Sequence, residues 1–286
     1  IQIDPWALSV KKKIEPLIEA EKRIVSHSWI SSASGCVDFT RKRVIFISSE
    51  GSWIEQTLYR TGGWINAESW ISESGGRKKI VRSWPATGGP FRSDGFEAIG
   101  RLRFSNEVKR IAEELKELRK SPEAPSGTFD LILAGSILAL QIHETFGHAS
   151  ESDRVYGYED NFGGRTFLNP GLLGSFEVAS PKVTLVSDGL GCFAFDDEGC
   201  PARRIEIVKK GIFSHYLSSR ETAMFLNQSS SSANMAAQDW SHYPLIRMTN
   251  TSLLPGAGTL QAMIADTEDG LLLDNELSWS IDEMRL

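Results

Sequence analysis

Cysteine is scarce in this chain: Cys36, Cys192 and Cys200 are the three among 286 residues, with no Cys-x-x-Cys pair. An odd, sparse set excludes a disulfide-built scaffold, and free thiols in a reducing cytoplasm are the simplest reading. The eight-residue interval between Cys192 and Cys200 is compatible with a hairpin disulfide, but it does not require one. Long apolar runs are also missing. The longest, LILAGSILALQI, is broken by Gly135 and Ser136, which excludes a spanning helix there. Positive charge is in deficit, with 31 Lys and Arg against 37 Asp and Glu and a formal net charge of −6. That balance argues against a broad nucleic-acid-binding face. No basic segment leads into an apolar one near the start, so nothing suggests secretion. The sequence opens on Ile1 without a methionine and stops at SWSIDEMRL, and both ends read as cut. A partial chain is expected. What remains, 41% hydrophobic and 24% charged, is an ordinary globular composition without internal repeats.

The chain changes character twice. DPWALSVKKKIEPLIEAEKRI places Asp4 as an N-cap and Pro5 at the first helical position, with Pro16 expected to kink or end the helix. From about residue 23 to 93, apolar and polar residues alternate between Gly- and Ser-containing turns, the signature of an antiparallel meander. Five of the eight tryptophans lie between Trp29 and Trp84, and the covered face of that sheet is their expected place. In RFSNEVKRIAEELKELRK, Val108, Ile111, Ala112 and Leu115 recur at helical spacing, with Ser105 as the expected cap. SPEAPSG then reads as a linker. The expected division is a first domain at 1–125 and a second at 126–286.

The second region opens with a short strand, FDLILAG, and a helix from Ser136. Strands follow in KVTLVSDG, RIEIVKKGIFSHYLSS and the segment around LIRMTNTSLLPG, with a hairpin turn at Lys210-Gly211. NQSSSSANMAAQDWS is compositionally biased and is expected to be a mobile loop. TLQAMIADTEDGLLL reads as a short helix leading into a strand. The fold class expected is α+β: helices on a mostly antiparallel sheet first, then a mainly β portion carrying a metal-binding helix.

That helix carries QIHETFGHASESDR, residues 141–154. The familiar HExxH arrangement sets two histidines four residues apart on one helix face around one metal. Here the interval between His143 and His148 is five. Five residues of ideal α-helix turn through about 500°, leaving the imidazoles roughly 140° apart. Two distortions would bring them together. A π turn widens the helix, or the helix ends at Gly147 and a left-handed glycine redirects His148. Glu151 and Asp153 follow closely as acceptors able to orient an imidazole N–H. With only five histidines in the chain, this grouping favours a metal site over core packing.

HETFGHASESDR closely resembles the HExxxH motif of the TldD/PmbA family, metalloproteases also called modulators of DNA gyrase. FAFDDEGCPARR (193–204) looks like that family's DDEG segment, and IRMTNTSLLPG (246–256) like its RMTNT segment. The resemblance implies a zinc-dependent peptidase with one zinc per subunit, His143 and His148 as ligands and Glu144 as general base. It also implies a third ligand, a cysteine in a Cys-Gly segment that these 286 residues do not contain, expected beyond Leu286. Cys192 and Cys200 do not match its position and are read as buried small residues. Asp197 and Glu198 in the DDEG segment, and Arg247 and Asn250 in RMTNT, are the candidate substrate-binding residues, each with a structural alternative. Arg203 or Arg204 could pair with a DDEG carboxylate. His215 and His242 are read as structural or surface residues.

The expected partners are a peptide or unfolded protein segment as substrate, and a second subunit in a homodimer or in a heterodimer with a paralogue. No membrane and no direct nucleic-acid contact are expected. Because the family pairs active members with partners lacking HExxxH, a non-catalytic scaffold subunit is the competing function.

Overall fold

The computed structural model describes residues 1–73, 76–86 and 89–274. Two compact units divide them: Ile1–Lys42 with Thr57–Phe129, and Arg43–Gln56 with Asp130–Asp274. The fold is α+β. A boundary drawn at one point in the sequence does not anticipate that the tip of a hairpin, 43–56, groups with the second unit.

In the first unit, β1 (Ser32–Ile47), β2 (Trp53–Glu73) and β3 (Gly76–Trp84) form an antiparallel meander in the order β1-β2-β3. Helices α1 (Val10–Val25), α2 (Glu97–Leu102) and α3 (Phe104–Leu118) complete the unit. Val108, Ile111, Ala112 and Leu115 of α3 are all buried, in one cluster with Leu17, Ala20 and Ile24 of α1 and Ile65, Ala67 and Ile80 of the sheet. Mostly aliphatic side chains make this core, and the tryptophans supply only part of its covered face. Trp53 and Trp70 are 71% and 39% exposed. Trp29 and Trp84 sit at the edge of the core, where each indole N–H can donate to a carbonyl, of Ala112 and Leu102 respectively. That fits a ring with one polar handle better than full burial does.

Asp4 is an N-cap with Pro5 at the first helical position, as expected, but of a short turn that precedes the long helix. Asp4 and Pro5 initiate a single 3-10 turn, Pro5–Ala7, and Ser9 caps α1 by accepting from the Lys12 N–H. Pro16 lies inside α1 without ending it. Its ring cannot donate to the Lys12 carbonyl, and the apolar stripe of Leu17, Ala20 and Ile24 holds the helix across that gap. Ser105 falls within the first turn of α3; the break before it is Arg103, at a left-handed φ of 49°.

The second unit is built on an antiparallel sheet in the order β10-β5-β6-β7. Its strands are β5 (Leu185–Asp188), β6 (Arg204–Lys209), β7 (Ile212–Phe213) and β10 (Asn250–Leu253). Lys210 and Gly211, both at positive φ (47° and 83°), turn β6 into β7 as a type I′ hairpin requires. Strand β4 (Asp130–Leu133) pairs in parallel with β11 (Gly270–Leu273), and helix α7 (Leu260–Asp266) precedes β11. Ile142, Leu168, Leu185, Ile207, Val208, Phe213, Tyr216, Leu217 and Ile246 form the core, and the Tyr216 hydroxyl donates to the Leu168 carbonyl.

The serine-rich stretch is not the loose loop its composition suggests. Ser231, Ser232, Ala233 and Asn234 are all buried. The Ser218 N–H donates to Ser232 Oγ, Ser231 Oγ donates to the Ser218 carbonyl, and Asn234 exchanges two bonds with the Arg247 backbone. Hydroxyls here satisfy main-chain groups that strands would otherwise pair. On either side of this buried stretch the segment is open to solvent: Ser229 and Ser230 are exposed, and Trp240 and Tyr243 almost fully so.

Pro16 gives a direct test of how α1 is held. Replacing it with alanine restores a helix donor, worth up to about 3 kcal/mol, but frees the unfolded chain by up to about 1 kcal/mol. Pro16→Ala is expected to raise the unfolding free energy by about 1–2 kcal/mol in urea titration. Equal or lower stability would show that the helix accommodates the ring without strain.

Candidate metal centre

Helix α4 (Gly135–Ile142) runs directly into a π turn, His143–Gly147, followed by one 3-10 turn, His148–Ser150. The His148 N–H donates to the His143 carbonyl five residues back, the bond that defines a π turn. Widening the helix there returns a five-residue interval to nearly the same face. The two imidazoles meet edge to face, centroids 4.7 Å apart at 86°. Ligand-capable atoms of His143, Glu144 and His148 all lie within 4.8 Å of one another. His143 is exposed, and Glu144 and His148 are half-buried.

Gly147 serves this arrangement differently from a left-handed cap. Its φ is −61° and its ψ −65°, ordinary helical values open to any residue. Space is the constraint: a Cβ at Gly147 would overlap the Met248 sulfur. Met248 comes from the RMTNT segment, so the second unit packs its thioether against the bare backbone of the π turn.

Behind His148 lies a buried group of charges. His148 Nδ1 is 2.9 Å from Glu151 Oε2, and Arg154 Nε donates to the same oxygen at 3.0 Å. The Arg154 guanidinium also donates to the Gly163 carbonyl. Glu151 is fully buried, and Arg154 and Glu159 nearly so. Arg247 Nη2 pairs with Glu159 Oε1 at 3.3 Å. Asp153, the other acid named as an imidazole acceptor, turns elsewhere. It accepts from the main-chain N–H groups of Ile246 and Arg154. Burial first, then the neighbouring Glu151 charge, pushes the Asp153 carboxyl up to about 6.

The DDEG segment is an anchored loop. Asp196 is buried, and its carboxylate accepts from the N–H groups of Glu198, Cys200 and Met235. Asp197 accepts from the Ala237 N–H, and Glu198 from the N–H of Arg220, the first residue of α6 (Arg220–Phe225). Arg203 donates to Ser230 Oγ. From the hairpin tip, the Gln56 amide accepts from the Ala194 and Phe195 N–H groups and donates to the Phe195 carbonyl. Asp196, Glu198 and Cys200 form a second group whose ligand-capable atoms lie within 4.8 Å. Its carboxylates already serve main-chain donors, and burial pushes the Cys200 thiol up, against the ionised form a metal prefers. All three cysteines are free thiols. In RMTNT, Arg247 is engaged with Glu159 and the Ile246 carbonyl, and Asn250 opens β10 opposite Asp188. His215 bonds the Tyr216 carbonyl and Gln228, and exposed His242 bonds Asp239. Among the described residues, no helix is long and apolar enough to cross a membrane.

With this geometry in hand, the likeness to known proteins is informative. Residues 126–285 match the family described as the PmbA/TldA metallopeptidase C-terminal domain. The chain belongs to the TldD/PmbA family. A protein named metalloprotease from Methanothermobacter thermautotrophicus is 31% identical over 93% of the chain and 57% of its own length. One from Saccharolobus solfataricus, named a zinc metalloprotease TldD homolog, is 30% identical over 59% of the chain and 36% of its own length. Among solved structures, TldE from Thermococcus kodakarensis superposes with a TM-score of 0.70 at 18% identity, covering 97% of the chain and 60% of that protein; this likeness speaks to fold alone. The chain spans 57 to 60% of the length of three archaeal relatives it matches. Two of the segments that carry the resemblance, HETFGH and RMTNT, meet where Met248 packs against Gly147.

Sequence reasoning missed Met248 and Gln56. No local signal marks either; each acts on residues about a hundred positions away or more.

Two measurements follow from these contacts. Gly147→Ala is expected to destabilise the protein by about 1–3 kcal/mol through overpacking, and much less in a Met248→Ala background. Additive penalties in the double-mutant cycle would detach the glycine from the thioether. The Asp153 carboxyl holds its proton up to about pH 6 when folded, but releases it near 4 when unfolded. Its contribution to stability is therefore greatest below about pH 4 and is lost as pH rises through about 6. Relative to wild type, Asp153→Asn should gain on the order of 2 kcal/mol between pH 4 and 7. A pH-independent difference would contradict that placement of the carboxyl.

Proposed function

We propose that this chain supplies the metal-binding histidines and general base of a zinc-dependent peptidase acting on peptides or unfolded protein segments. The observation that carries the reading is the π turn. It gathers two imidazoles and the carboxylate of Glu144 around one point, which an α-helix at this spacing would not do. Zinc fits the donor set: neutral imidazole nitrogens are borderline-soft ligands, and an acceptor behind one of them leaves its other nitrogen free to ligate. His143 and His148 would hold one zinc per subunit. Two protein ligands leave a catalytic zinc one short. The third, expected to be cysteine, is then a requirement on protein beyond these residues, as the greater length of the relatives allows.

When bound, zinc would supply Lewis-acid polarisation, bringing a water proton within reach of a carboxylate base at neutral pH. Glu144, adjacent in sequence to His143 and close to His148, would take that proton as a peptide carbonyl is attacked, and deliver it to the departing amine. Asp197, Glu198, Arg247 and Asn250 belong to the same proposal as residues that shape the substrate path. Their bonds to the main chain and to Glu159 suit them to fixing loops beside the centre. An extended peptide in the cytoplasm is the substrate we favour, with a second subunit, identical or paralogous, enclosing the site.

The deciding experiment is on the full-length protein. Chelation should abolish cleavage of an unfolded substrate and zinc should restore it. Glu144→Gln should retain zinc yet lose at least about a hundredfold in turnover. Full activity in the chelated enzyme or in Glu144→Gln would defeat the reading. Absence of zinc from the purified protein would favour the scaffold subunit.

A further inference from the structure

The charges behind His148 go beyond ordinary stabilisation, and we infer that Glu151 and Arg154 are positioning residues that preset His148 as the Nδ1–H tautomer. The inference rests on the metallopeptidase reading for its purpose, though not for its test. A carboxylate only accepts hydrogen bonds, so the proton shared across the 2.9 Å contact sits on His148 Nδ1. The Nε2 lone pair is then the one left for a ligand.

What distinguishes this pair from an incidental contact is how thoroughly Glu151 is fixed. Its backbone lies in a parallel bridge to Leu217, where the Leu217 N–H donates to the Ser150 carbonyl and the Ser152 N–H to the Leu217 carbonyl. Leu217 and both serines are fully buried. The carboxylate oxygen that meets His148 also receives Arg154 Nε at 3.0 Å. The guanidinium is in turn held by the Gly163 carbonyl, and Gly163 has no room for a side chain because a Cβ would press on Glu159 and Arg154. Each partner's orientation is set by the next, and the series ends on His148.

A buried ion pair is weak grounds for stability, since apolar side chains of similar volume often replace one without loss. That makes the two roles separable. If Glu151 and Arg154 only fill space, the double variant Glu151→Leu/Arg154→Met should fold and leave His148 unchanged. If they position His148, the double variant should fold but lose the tautomer.

The readout is the 15N shifts of the His148 ring in the metal-free full-length protein, with zinc affinity of the same protein measured by competition with a chromophoric chelator. Wild type is expected to show Nδ1–H. Glu151→Gln keeps an acceptor oxygen and should keep that tautomer. The double variant should populate Nε2–H and bind zinc about ten- to a hundredfold more weakly. A folded double variant with wild-type tautomer and wild-type zinc affinity would overturn the assignment. So would Nε2–H in the wild-type protein, a result that needs no variant to fold. If wild type fails to bind zinc while its tautomer depends on Glu151 as described, the metallopeptidase reading falls and the positioning role stands.

Discussion

One hydrogen bond brings the two imidazoles of HETFGH together, the donation from the His148 N–H to the His143 carbonyl. Had it closed on the fourth residue back instead of the fifth, the two imidazoles would diverge and no shared ligand could bridge them. A π turn is uncommon because it leaves space at the helix axis and aligns its bonds less well than an α-turn, so something outside the helix has to favour it. Here the surroundings include the Met248 thioether, lodged where any side chain at position 147 would stand. A polarizable, unbranched side chain suits such an irregular gap. The centre is thus held by tertiary packing as much as by local sequence.

That dependence explains how much of the protein could be read from its residues. The apolar repeat of Val108, Ile111, Ala112 and Leu115 identified α3 because burial follows helical period without further information. The Lys210-Gly211 turn was legible because two consecutive positive-φ positions favour such a dipeptide. The meander and the α+β class followed from alternation and turn residues. The five-residue interval in HETFGH even stated that the helix must be distorted. It did not say which distortion, and the neighbour packed against that turn, Met248, comes from a hundred residues further along.

The misreadings share a cause. NQSSSSANMAAQDWS looked like a mobile loop because serine is polar and small, yet the hydroxyls of Ser231 and Ser232 bond Ser218 and are buried. The tryptophans looked like core because they are large, but Trp53 and Trp70 face solvent and mostly aliphatic residues fill the sheet's covered face. Pro16 looked like a helix end, and an apolar stripe outweighed it. In each case composition was right about a residue's preference and silent about what the tertiary neighbours would demand.

The hairpin tip has a consequence for the protein's modularity. The Gln56 amide meets the main chain of Ala194 and Phe195 much as another strand's peptide group would, and Phe46 lies where Gly199 has no side chain. The second unit is therefore discontinuous in the gene, completed by a strip encoded some seventy residues before the rest of it. Cutting at the linker would yield a fragment with the whole HETFGH segment but with raw main-chain groups along its DDEG loop. A fragment meant to carry the second unit intact therefore has to bring residues 43–56 with it.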